Sequence, residues 1–420
     1  MHLRCVDCGE TYPADRLVTR CQCGGLLDVV IERTGALDRS SFDRRLTALT
    51  GIDRSGVWRY RELLPPLPDP AIVTKPEGNT NLYEVPGLAA WAGVARLVLK
   101  HEGENPTGSF KDRGMTVAIS HALWVGAQIV ACASTGNTSA SVAAYAATAG
   151  LPAIVFIPEG KISAAKLGQT IAYGARIVQI RGNFDAAMAL VQDAARRYGI
   201  YLLNSINPFR LEGQKTIVFE LLHQMGWEPP DWIVLPGGNL GNTSAVGKAL
   251  TELHEAGVIG RLPRVAVIQA AGAAPFYEAY RAGFREYHPV TPETVATAIR
   301  IGDPVSYSKA RRTIELTNGV VAAVSDEAIM EAKARIDRAG IGCEPASAAT
   351  LAGLRQLVSD GVIPVGASVA GILTGHLMKD TDAVMDYHLG PDAANHPLAN
   401  PPQVIDPTPA ALEEILGDVL

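Results

Sequence analysis

The chain of 420 residues lacks any concentration of positive charge. Lys and Arg total 37 against 43 Asp and Glu, which gives a formal net charge of -6, and no long run of Lys or Arg occurs. Such an acidic chain is a poor candidate for binding nucleic acid or an anionic membrane. An anionic ligand must therefore be held by a local site and not by the overall field.

Long apolar runs are also missing. Residues 114–158 contain no Asp, Glu, Lys or Arg, but a polar segment at 134–139 and a Gly-Leu-Pro break at 150–152 divide them. Since a membrane span takes about 20 continuous apolar residues, these pieces indicate buried strands and helices. The first residues contain no apolar signal region, and we expect a cytoplasmic protein without a membrane partner.

The six cysteines are too few and too unevenly placed for a disulfide framework. Four of them crowd the N-terminus as Cys5, Cys8, Cys21 and Cys23. Two pairs of thiolates suit a tetrahedral zinc ion, although the second pair is CxC and not CxxC. A ribbon without metal is the alternative. Because every ligand would come from the protein, such a zinc site would be structural.

From about residue 71 onward, short apolar runs alternate with Ala-rich helical segments, and the last predicted strand covers residues 362–369. This order predicts an α/β fold whose mostly parallel sheet has helices on both faces. Loops rich in Gly, Ser and Thr follow three predicted strands, at 104–109, 134–137 and 237–242. In open parallel sheets ligands bind at the carboxyl ends of the strands, so we expect these loops to converge.

Two of the loops suit anions. The segment 237–242, Gly-Gly-Asn-Leu-Gly-Asn, has three glycines, which let backbone N–H groups close around phosphate oxygens. It matches neither the GxGxxG fingerprint nor a nucleotide P-loop, so the single phosphate of a small cofactor fits better, with a ligand-free turn as the alternative. The segment 134–139, Ser-Thr-Gly-Asn-Thr-Ser, suits a carboxylate or only caps a helix.

The third loop places Lys111 in the first turn of a predicted helix, within Asn105-Pro-Thr-Gly-Ser-Phe-Lys-Asp-Arg113. The positive end of the helix dipole disfavours a protonated amine there and so helps to keep the amine nucleophilic. A neutral lysine amine is what a Schiff base with an aldehyde cofactor requires. The alternative is a surface lysine, but the neighbouring charge-free stretch favours the cofactor.

Taken together, these segments resemble the threonine synthases, within the fold-type II pyridoxal-phosphate enzymes. The resemblance covers about residues 71–380, and each loop is weak evidence alone whereas the ordered set is specific. The N-terminal ribbon also resembles the head of longer threonine synthases. The matching segments are Pro76–Thr80, Asn105–Gly114, Ser134–Thr138, Asn204–Lys215, Gly237–Asn242, Ala296–Gly302, Glu344–Ala349 and Thr374–His376.

The resemblance implies two open, mostly parallel twisted sheets with helices on both faces, as in the tryptophan synthase β fold, plus the small N-terminal Cys ribbon. It also implies a homodimer. We expect the ribbon at residues 1–35, a large cofactor-binding domain at 36–110 and 185–390, a small domain at 111–184 and a C-terminal tail at 391–420.

The resemblance further assigns roles to residues. Lys111 would bind pyridoxal 5'-phosphate covalently and then move protons, Asn137 would hold the phenolic oxygen of the cofactor, and Thr374 would bind the pyridine nitrogen. The ring of Phe110 would lie beside the cofactor. The phosphate of the cofactor would lie against Gly237, Gly238, Asn239, Leu240, Gly241 and Asn242.

The implied substrate is O-phosphohomoserine, converted with water to threonine and phosphate. Its carboxylate would bind Ser134, Thr135 and Thr138. Its phosphate would bind Asn204, Ser205 and Arg210, and the fork of guanidinium donors suits a phosphate.

Two departures from the family pattern bear on local packing. Asn81 stands where Pro is usual, and Leu377 stands where the family often has Gly in the Thr-Gly-His-Gly-Leu-Lys-Asp motif. Met378 replaces the Leu that follows. None of these changes removes a chemical group, and whether Asn81 and Leu377 alter substrate preference is open at this point.

Three other functions fit parts of the sequence. A threonine or serine dehydratase would share the fold and cofactor, but it would not need the phosphate-binding segment 204–210. A synthase acting on another phosphorylated amino acid would need that segment. A non-catalytic regulator that binds through the ribbon is disfavoured by the acidic charge and by Lys111.

Overall fold

The computed structural model describes residues 1–32, 37–159, 164–181, 190–191, 193–195 and 197–419. Within them the chain forms two compact units, Met1–Asp380 and Thr381–Leu420. No helix in these ranges is long and apolar enough to span a bilayer. The predicted division of the first unit into a large and a small domain stays a prediction, and the boundaries at 35–36 and 184–185 lie outside the described residues.

The N-terminal ribbon is a three-stranded antiparallel sheet. Its strands are β1 (His2–Cys5), β2 (Thr11–Pro13) and β3 (Leu27–Val30), in the order β2-β1-β3. Leu3 and Leu27 of this sheet are fully buried, so the ribbon packs into the rest of the first unit.

Two further sheets form the body. The six-stranded sheet has the order β12-β11-β10-β13-β5-β4 and is parallel except for the edge pair β4 and β5. The four-stranded sheet, in the order β8-β7-β6-β9, is entirely parallel. The strands are β4 (Leu82–Glu84), β5 (Arg96–His101), β6 (Val130–Ala133), β7 (Ala153–Pro158), β8 (Arg176–Ile180), β9 (Tyr201–Leu202), β10 (Trp232–Pro236), β11 (Arg264–Ala270), β12 (Val320–Val324) and β13 (Ser368–Leu373).

Helices cover these sheets, and the prediction of two open, mostly parallel sheets with a cysteine ribbon is confirmed. The first unit contains α1 (Arg39–Arg45), α2 (Pro86–Ala92), α3 (Lys111–Trp124), α4 (Asn137–Ala149), α5 (Ala164–Ala172), α6 (Pro208–Gln214), α7 (Thr216–Gln224), α8 (Gly241–Glu255), α9 (Pro275–Arg281), α10 (Tyr307–Leu316), α11 (Asp326–Arg338) and α12 (Pro345–Ser359). The second unit contains α13 (Thr381–Leu389) and α14 (Pro409–Val419).

The sequence explains the core of the larger sheet. Strand β10 is buried along its whole length, as expected for an apolar run in a sheet covered on both faces. Helix α12 presents small residues to the sheet, and Gly353 lies so close to Ile268 that a side chain there would clash. The central strands and their loops are thus held in fixed positions.

One predicted strand was wrong in its limits. The strand placed at residues 362–369 begins at Ser368 and runs to Leu373. Pro364 interrupts the apolar run, and the N–H of Ala367 bonds to its carbonyl at 2.9 Å, which makes a turn. A proline has no N–H for the ladder, so the strand starts after this turn.

Candidate active site

The loops after β5 and β13 lie side by side. The N–H of Phe110 donates to the carbonyl of Thr374 at 3.0 Å, and the N–H of His376 donates to the carbonyl of Gly108 at 2.9 Å. Ser109 and Gly375 form an isolated antiparallel bridge. The loop that carries Lys111 therefore contacts the loop that carries Thr374.

Lys111 is the first residue of α3, and its side chain is partly buried at the edge of this cluster. Its Nζ lies 3.5 Å from the centre of the Phe110 ring. The pKa of Lys111 is lowered to about 7, mainly by burial and in part by the nearby Arg210 cation, while Glu344 opposes the decrease. A substantial fraction of the amine is thus neutral near pH 7, as covalent attachment to an aldehyde requires.

Helix α3 is anchored by buried charges directly behind Lys111. Arg113 is fully buried and binds Glu102 at 2.6 and 2.7 Å and Glu220 at 2.7 Å. Lys100 binds the same Glu220 carboxylate at 2.7 Å. Because an ion-pair network of this kind has one well-defined geometry, it positions the first turn of α3.

The loop 237–242 has the form of an anion cradle. A Cβ atom on Gly238 would lie 3.1 Å from the Cα of Ile299, and Leu240 adopts a left-handed φ of 62° before α8 begins. Among the described residues, the buried amide of Asn242 has no hydrogen-bond partner at either atom, nor has the neighbouring hydroxyl of Thr243. Buried polar groups are normally satisfied, so these groups indicate a polar ligand.

Other members of the loop have structural partners. Asn239 accepts from the N–H of Ser306 at 3.1 Å through its carbonyl and from that of Val305 at 3.4 Å through its side chain. The N–H of Gly237 donates to Ile268 at 2.7 Å, whereas a Cβ on Gly241 would meet nothing closer than 3.5 Å.

Thr374 follows β13 and is buried, as expected for a residue that binds a ring nitrogen. Its hydroxyl lies 3.0 Å from the hydroxyl of Ser347. The Ser347 oxygen also accepts from the N–H groups of Thr374 and Gly375, at 2.8 and 3.0 Å. Ser347 therefore fixes the Thr374 backbone and orients its hydroxyl.

The loop between β6 and α4 carries the three residues that the sequence assigns to the substrate carboxylate. Ser134, Thr135 and Thr138 are all partly exposed, and the Ser134 hydroxyl accepts from the N–H of Gly136 at 3.3 Å. Asn137 Nδ2 donates to the two carboxylate oxygens of Glu344, at 3.2 and 3.0 Å. The amide thus already has a carboxylate partner.

The three residues expected at the substrate phosphate differ in their surroundings. Asn204 uses both atoms of its amide on the backbone of Ala133, at 2.9 Å each, and so supports the 134–138 loop. Ser205 is partly exposed. Arg210 is buried, and its recorded hydrogen bond is from Nη1 to the carbonyl of Leu203, at 3.2 Å, while its Nε has no partner.

Sequence reasoning missed several residues of the cluster. Glu344 and Ser347 lie in the motif Glu344–Ala349, but periodicity and composition assigned neither a role. Asp112 accepts from Ser141 and Thr107, and burial raises its pKa to about 6. The amine of Lys379 bonds to Gln169, which lies on α5. The positions of Glu344, Asp112 and Lys379 beside the loops could have marked these charged residues as members of the site.

Two of the three substitutions, Asn81 and Leu377, have a structural explanation, whereas the Met378 side chain is exposed. The backbone N–H of Asn81 donates to the Glu104 carboxylate at 2.6 Å, and its side-chain amide donates to the same carboxylate at 3.1 Å. A proline could make neither bond. The Leu377 side chain packs against Gly342, where a Cβ would lie 3.2 Å from that of Leu377. Asn81 therefore holds Glu104, the residue before Asn105. Leu377 packs over Gly342, two residues before Glu344.

The N-terminal cysteines form one cluster. The Sγ atoms of Cys5, Cys8, Cys21 and Cys23 all lie within 4.8 Å of one another. The Tyr12 hydroxyl lies 3.1 Å from the sulfur of Cys21. The CxC pair thus converges with the CxxC pair in spite of its shorter spacing.

The fold and the site together define a fold-type II pyridoxal-phosphate enzyme. The model of the pyridoxal-phosphate dependent enzyme family matches residues 73–375. A threonine synthase of Methanocaldococcus jannaschii is 47% identical over 384 residues, which cover 91% of this chain and 94% of that protein. A threonine synthase of Methanosarcina acetivorans is 48% identical over 388 residues, or 92% and 94% of the two chains. The chain belongs to the threonine synthase family.

Solved structures agree on the fold. Threonine synthase from Escherichia coli superposes with a TM-score of 0.70 at 20% identity and covers 100% of both chains. Maize serine racemase superposes with a TM-score of 0.62 at 23% identity, over 78% of this chain and 95% of that one. At such identities the likeness shows the fold alone, because enzymes with different reactions share it.

Proposed function

We propose that this protein converts O-phosphohomoserine and water to threonine and phosphate with pyridoxal 5'-phosphate as cofactor. The observation that carries the proposal is the buried Arg210 guanidinium, which lies close enough to Lys111 to lower its pKa. Burial lowers the pKa of Arg210 to about 10, so the side chain remains a cation near pH 7. An uncompensated buried cation beside the reactive lysine fits a dianionic phosphate on the substrate.

The residues present fit the cofactor. Lys111 would attach it, the loop 237–242 with its unpartnered Asn242 amide would hold its phosphate, and Thr374 would bind its ring nitrogen. Asn137 would donate to its phenolic oxygen. When bound, the cofactor accepts the negative charge that develops at the α carbon of the substrate.

The residues of the chain would do the remaining work. The neutral amine of Lys111 takes the α proton, since its lowered pKa is matched to proton transfer near pH 7. Ser134, Thr135 and Thr138 bind the carboxylate at the start of α4, where the helix dipole favours an anion. Arg210 holds the phosphate while a proton leaves the β carbon and the bond between the phosphate oxygen and the γ carbon breaks. The γ carbon is then protonated, the hydroxyl of water adds at the β carbon, a proton returns to the α carbon, and the remaining proton of the water leaves with the phosphate.

The decisive test supplies O-phosphohomoserine to the holoenzyme and measures threonine and phosphate together. Equal amounts of both products are expected, and Lys111→Ala should abolish them. A dehydratase would instead release ammonia from unphosphorylated threonine or serine and leave O-phosphohomoserine unused. That second outcome, or normal turnover by the Lys111→Ala variant, would refute the proposal.

We propose separately that the cysteine cluster holds a structural zinc ion. Support comes from four sulfur atoms within 4.8 Å of one another, since thiolates around tetrahedral zinc lie at comparable separations. Elemental analysis should find one zinc per chain, and Cys8→Ser, which changes an exposed ligand, should reduce it. Zinc content unaffected by Cys8→Ser would place the metal elsewhere.

We also propose that the enzyme works as a homodimer in the cytoplasm, with residues 111–184 as a small domain against the larger one. The family resemblance supports the dimer and the division into domains. Sedimentation equilibrium should give twice the chain mass of 44.4 kDa, and a monomer mass would contradict the dimer.

A further inference from the structure

Glu344 occupies a central position in the candidate active site. It immediately precedes α12, its side chain is buried, and its N–H donates to the carbonyl of Gly375 at 3.1 Å. Its carboxylate also packs so closely on Gly375 that any side chain at that position would clash. The carboxylate is therefore held in one place by the loop that also carries Thr374.

The Glu344 carboxylate determines how the Asn137 amide is turned. Both of its oxygens lie within hydrogen-bond distance of Asn137 Nδ2, at 3.2 and 3.0 Å. A carboxylate can only accept, so the nitrogen and not the oxygen of the amide must face Glu344. The two oxygens of one carboxylate subtend a much smaller angle at the amide nitrogen than its two N–H bonds do, so a single N–H is shared between them. The second N–H remains for a further acceptor.

Glu344 also faces charged groups from several elements. Lys111 at the start of α3 and Lys379 after β13 stabilise its ionised form, whereas Asp380 opposes it. Burial is the largest influence and raises the pKa of Glu344. In return, Glu344 favours the protonated form of Lys111 against burial and against Arg210.

We propose that Glu344 is a positioning residue that turns the free N–H of Asn137 toward the cofactor and places its carboxylate beside the loop that leads to Lys111. This inference rests on the proposed function, because Asn137 and Lys111 are the groups assigned to the cofactor. The two roles use different properties of the side chain. Turning the amide needs an acceptor, whereas raising the proton affinity of the amine needs a negative charge.

Three variants separate these properties. Glu344→Gln keeps an acceptor for Asn137 but removes the charge, Glu344→Ala removes both, and Glu344→Asp keeps the charge on a shorter side chain. Glu331→Gln serves as a matched control, because Glu331 lies on the surface of α11 and pairs with Arg335. Circular dichroism checks that every variant is folded.

The first measurement uses the full chain freed of cofactor and acetic anhydride, which acetylates neutral amines. Mass spectrometry measures how the extent of Lys111 acetylation depends on pH. Glu344→Gln and Glu344→Ala should lower the midpoint by about 1–3 pH units, since a nearby negative charge favours an ammonium by that amount. The midpoint of Glu344→Asp should lie close to that of the wild type, because the negative charge is kept. The midpoint of the Glu331→Gln control should equal that of the wild type. An unchanged midpoint in Glu344→Gln would overturn the electrostatic role.

The second measurement is the affinity for pyridoxal phosphate, which a fluorescence titration determines. Glu344→Gln should remain within about threefold of the wild type, because its side-chain carbonyl still accepts from Asn137. Glu344→Ala should bind at least about tenfold more weakly, because the acceptor that orients the Asn137 amide is lost. Equal affinities for the Gln and Ala variants would overturn the positioning role. If the wild type itself fails to bind the cofactor, the proposed function fails, and the labelling result still reports on Glu344 and Lys111.

Discussion

At the scale of single residues, several buried polar groups have few or no hydrogen-bond partners in the part of the chain that the structure describes. Arg210 lies buried with one carbonyl as its recorded partner, and the Asn242 amide and Thr243 hydroxyl are unsatisfied. Leaving polar groups in this state costs stability, and a charged group costs more than a neutral one. Such a cost is expected at a binding site, where the ligand restores the missing interactions.

Replacing Arg210 should therefore separate stability from function. In Arg210→Met the apo protein should be as stable as the wild type or more stable, by up to about 3 kcal/mol, because an uncompensated buried cation is removed. The KM for O-phosphohomoserine should rise by the equivalent of about 2–5 kcal/mol. Urea denaturation and steady-state kinetics measure the two effects. Lower stability together with an unchanged KM would show that Arg210 is only structural.

Asn81 offers a second residue-scale prediction, because proline at this position is usual in the family. Asn81→Pro removes the N–H that donates to Glu104 and should lower the free energy of unfolding by about 1–3 kcal/mol. Tyr83→Phe is the matched comparison, since it removes one other bond to the same carboxylate, at 2.6 Å. Urea denaturation of both variants tests this, and wild-type stability of Asn81→Pro would show that the bond contributes nothing.

At the scale of elements, the ribbon supports the helix that carries Arg210. Lys248 on α8 donates to the carbonyl of Val29 in β3 and pairs with Glu212 on α6. Lys309 on α10 donates to the carbonyl of Leu27 at 2.6 Å. The third strand of the ribbon and helix α6 are therefore linked through the buried Lys248 amine, which contacts both.

Lys248→Met should destabilise the protein by about 3–5 kcal/mol, because it leaves the buried Glu212 with one cation fewer. Arg312→Gln is a fitting control, since Arg312 also contacts β3 through Asp28 but its side chain is 53% exposed. Its effect should stay below about 1 kcal/mol. Chemical denaturation compares the two variants, and equal losses would contradict this account of the interface.

At the scale of the whole molecule, the titration of one lysine should be visible in global stability. Burial lowers the pKa of Lys111 to about 7 in the folded apo protein, while the unfolded chain keeps the ordinary value near 10.5. Between these two pH values the unfolded state binds more protons, so stability rises with pH in that window. Burial raises the pKa of Tyr201. This group therefore makes the stability fall with rising pH, but only above the ordinary pKa of a tyrosine, near the upper end of the window considered for Lys111.

The apo protein should therefore gain up to about 2 kcal/mol of stability between pH 7 and pH 9 from this group alone. The difference between wild type and Lys111→Met isolates that contribution, because all other titrating groups are shared. Urea denaturation at several pH values measures it. A constant difference between the two proteins across this range would mean that Lys111 titrates normally.

Most of the architecture and part of the site were predictable, and the limits have physical reasons. The alternation of apolar runs and helices predicts parallel sheets, and the Gly-rich loops mark the strand ends where ligands bind. The strand at 362–369 was misplaced because an apolar run continues through Pro364, which cannot join the ladder. Glu344 was missed because its neighbours Asn137 and Lys111 are more than 200 positions away in sequence.

The order of residues by itself determined which side chains carry reactive groups and which local structure each loop takes. The start of a helix at Lys111 and the tight loop formed by the three glycines of 237–242 both follow from local preferences of the backbone. Only the tertiary structure decided which groups keep their charge and which lack partners, as with Arg210 and Glu344. The reason is that burial and the distance between charges depend on contacts between distant segments.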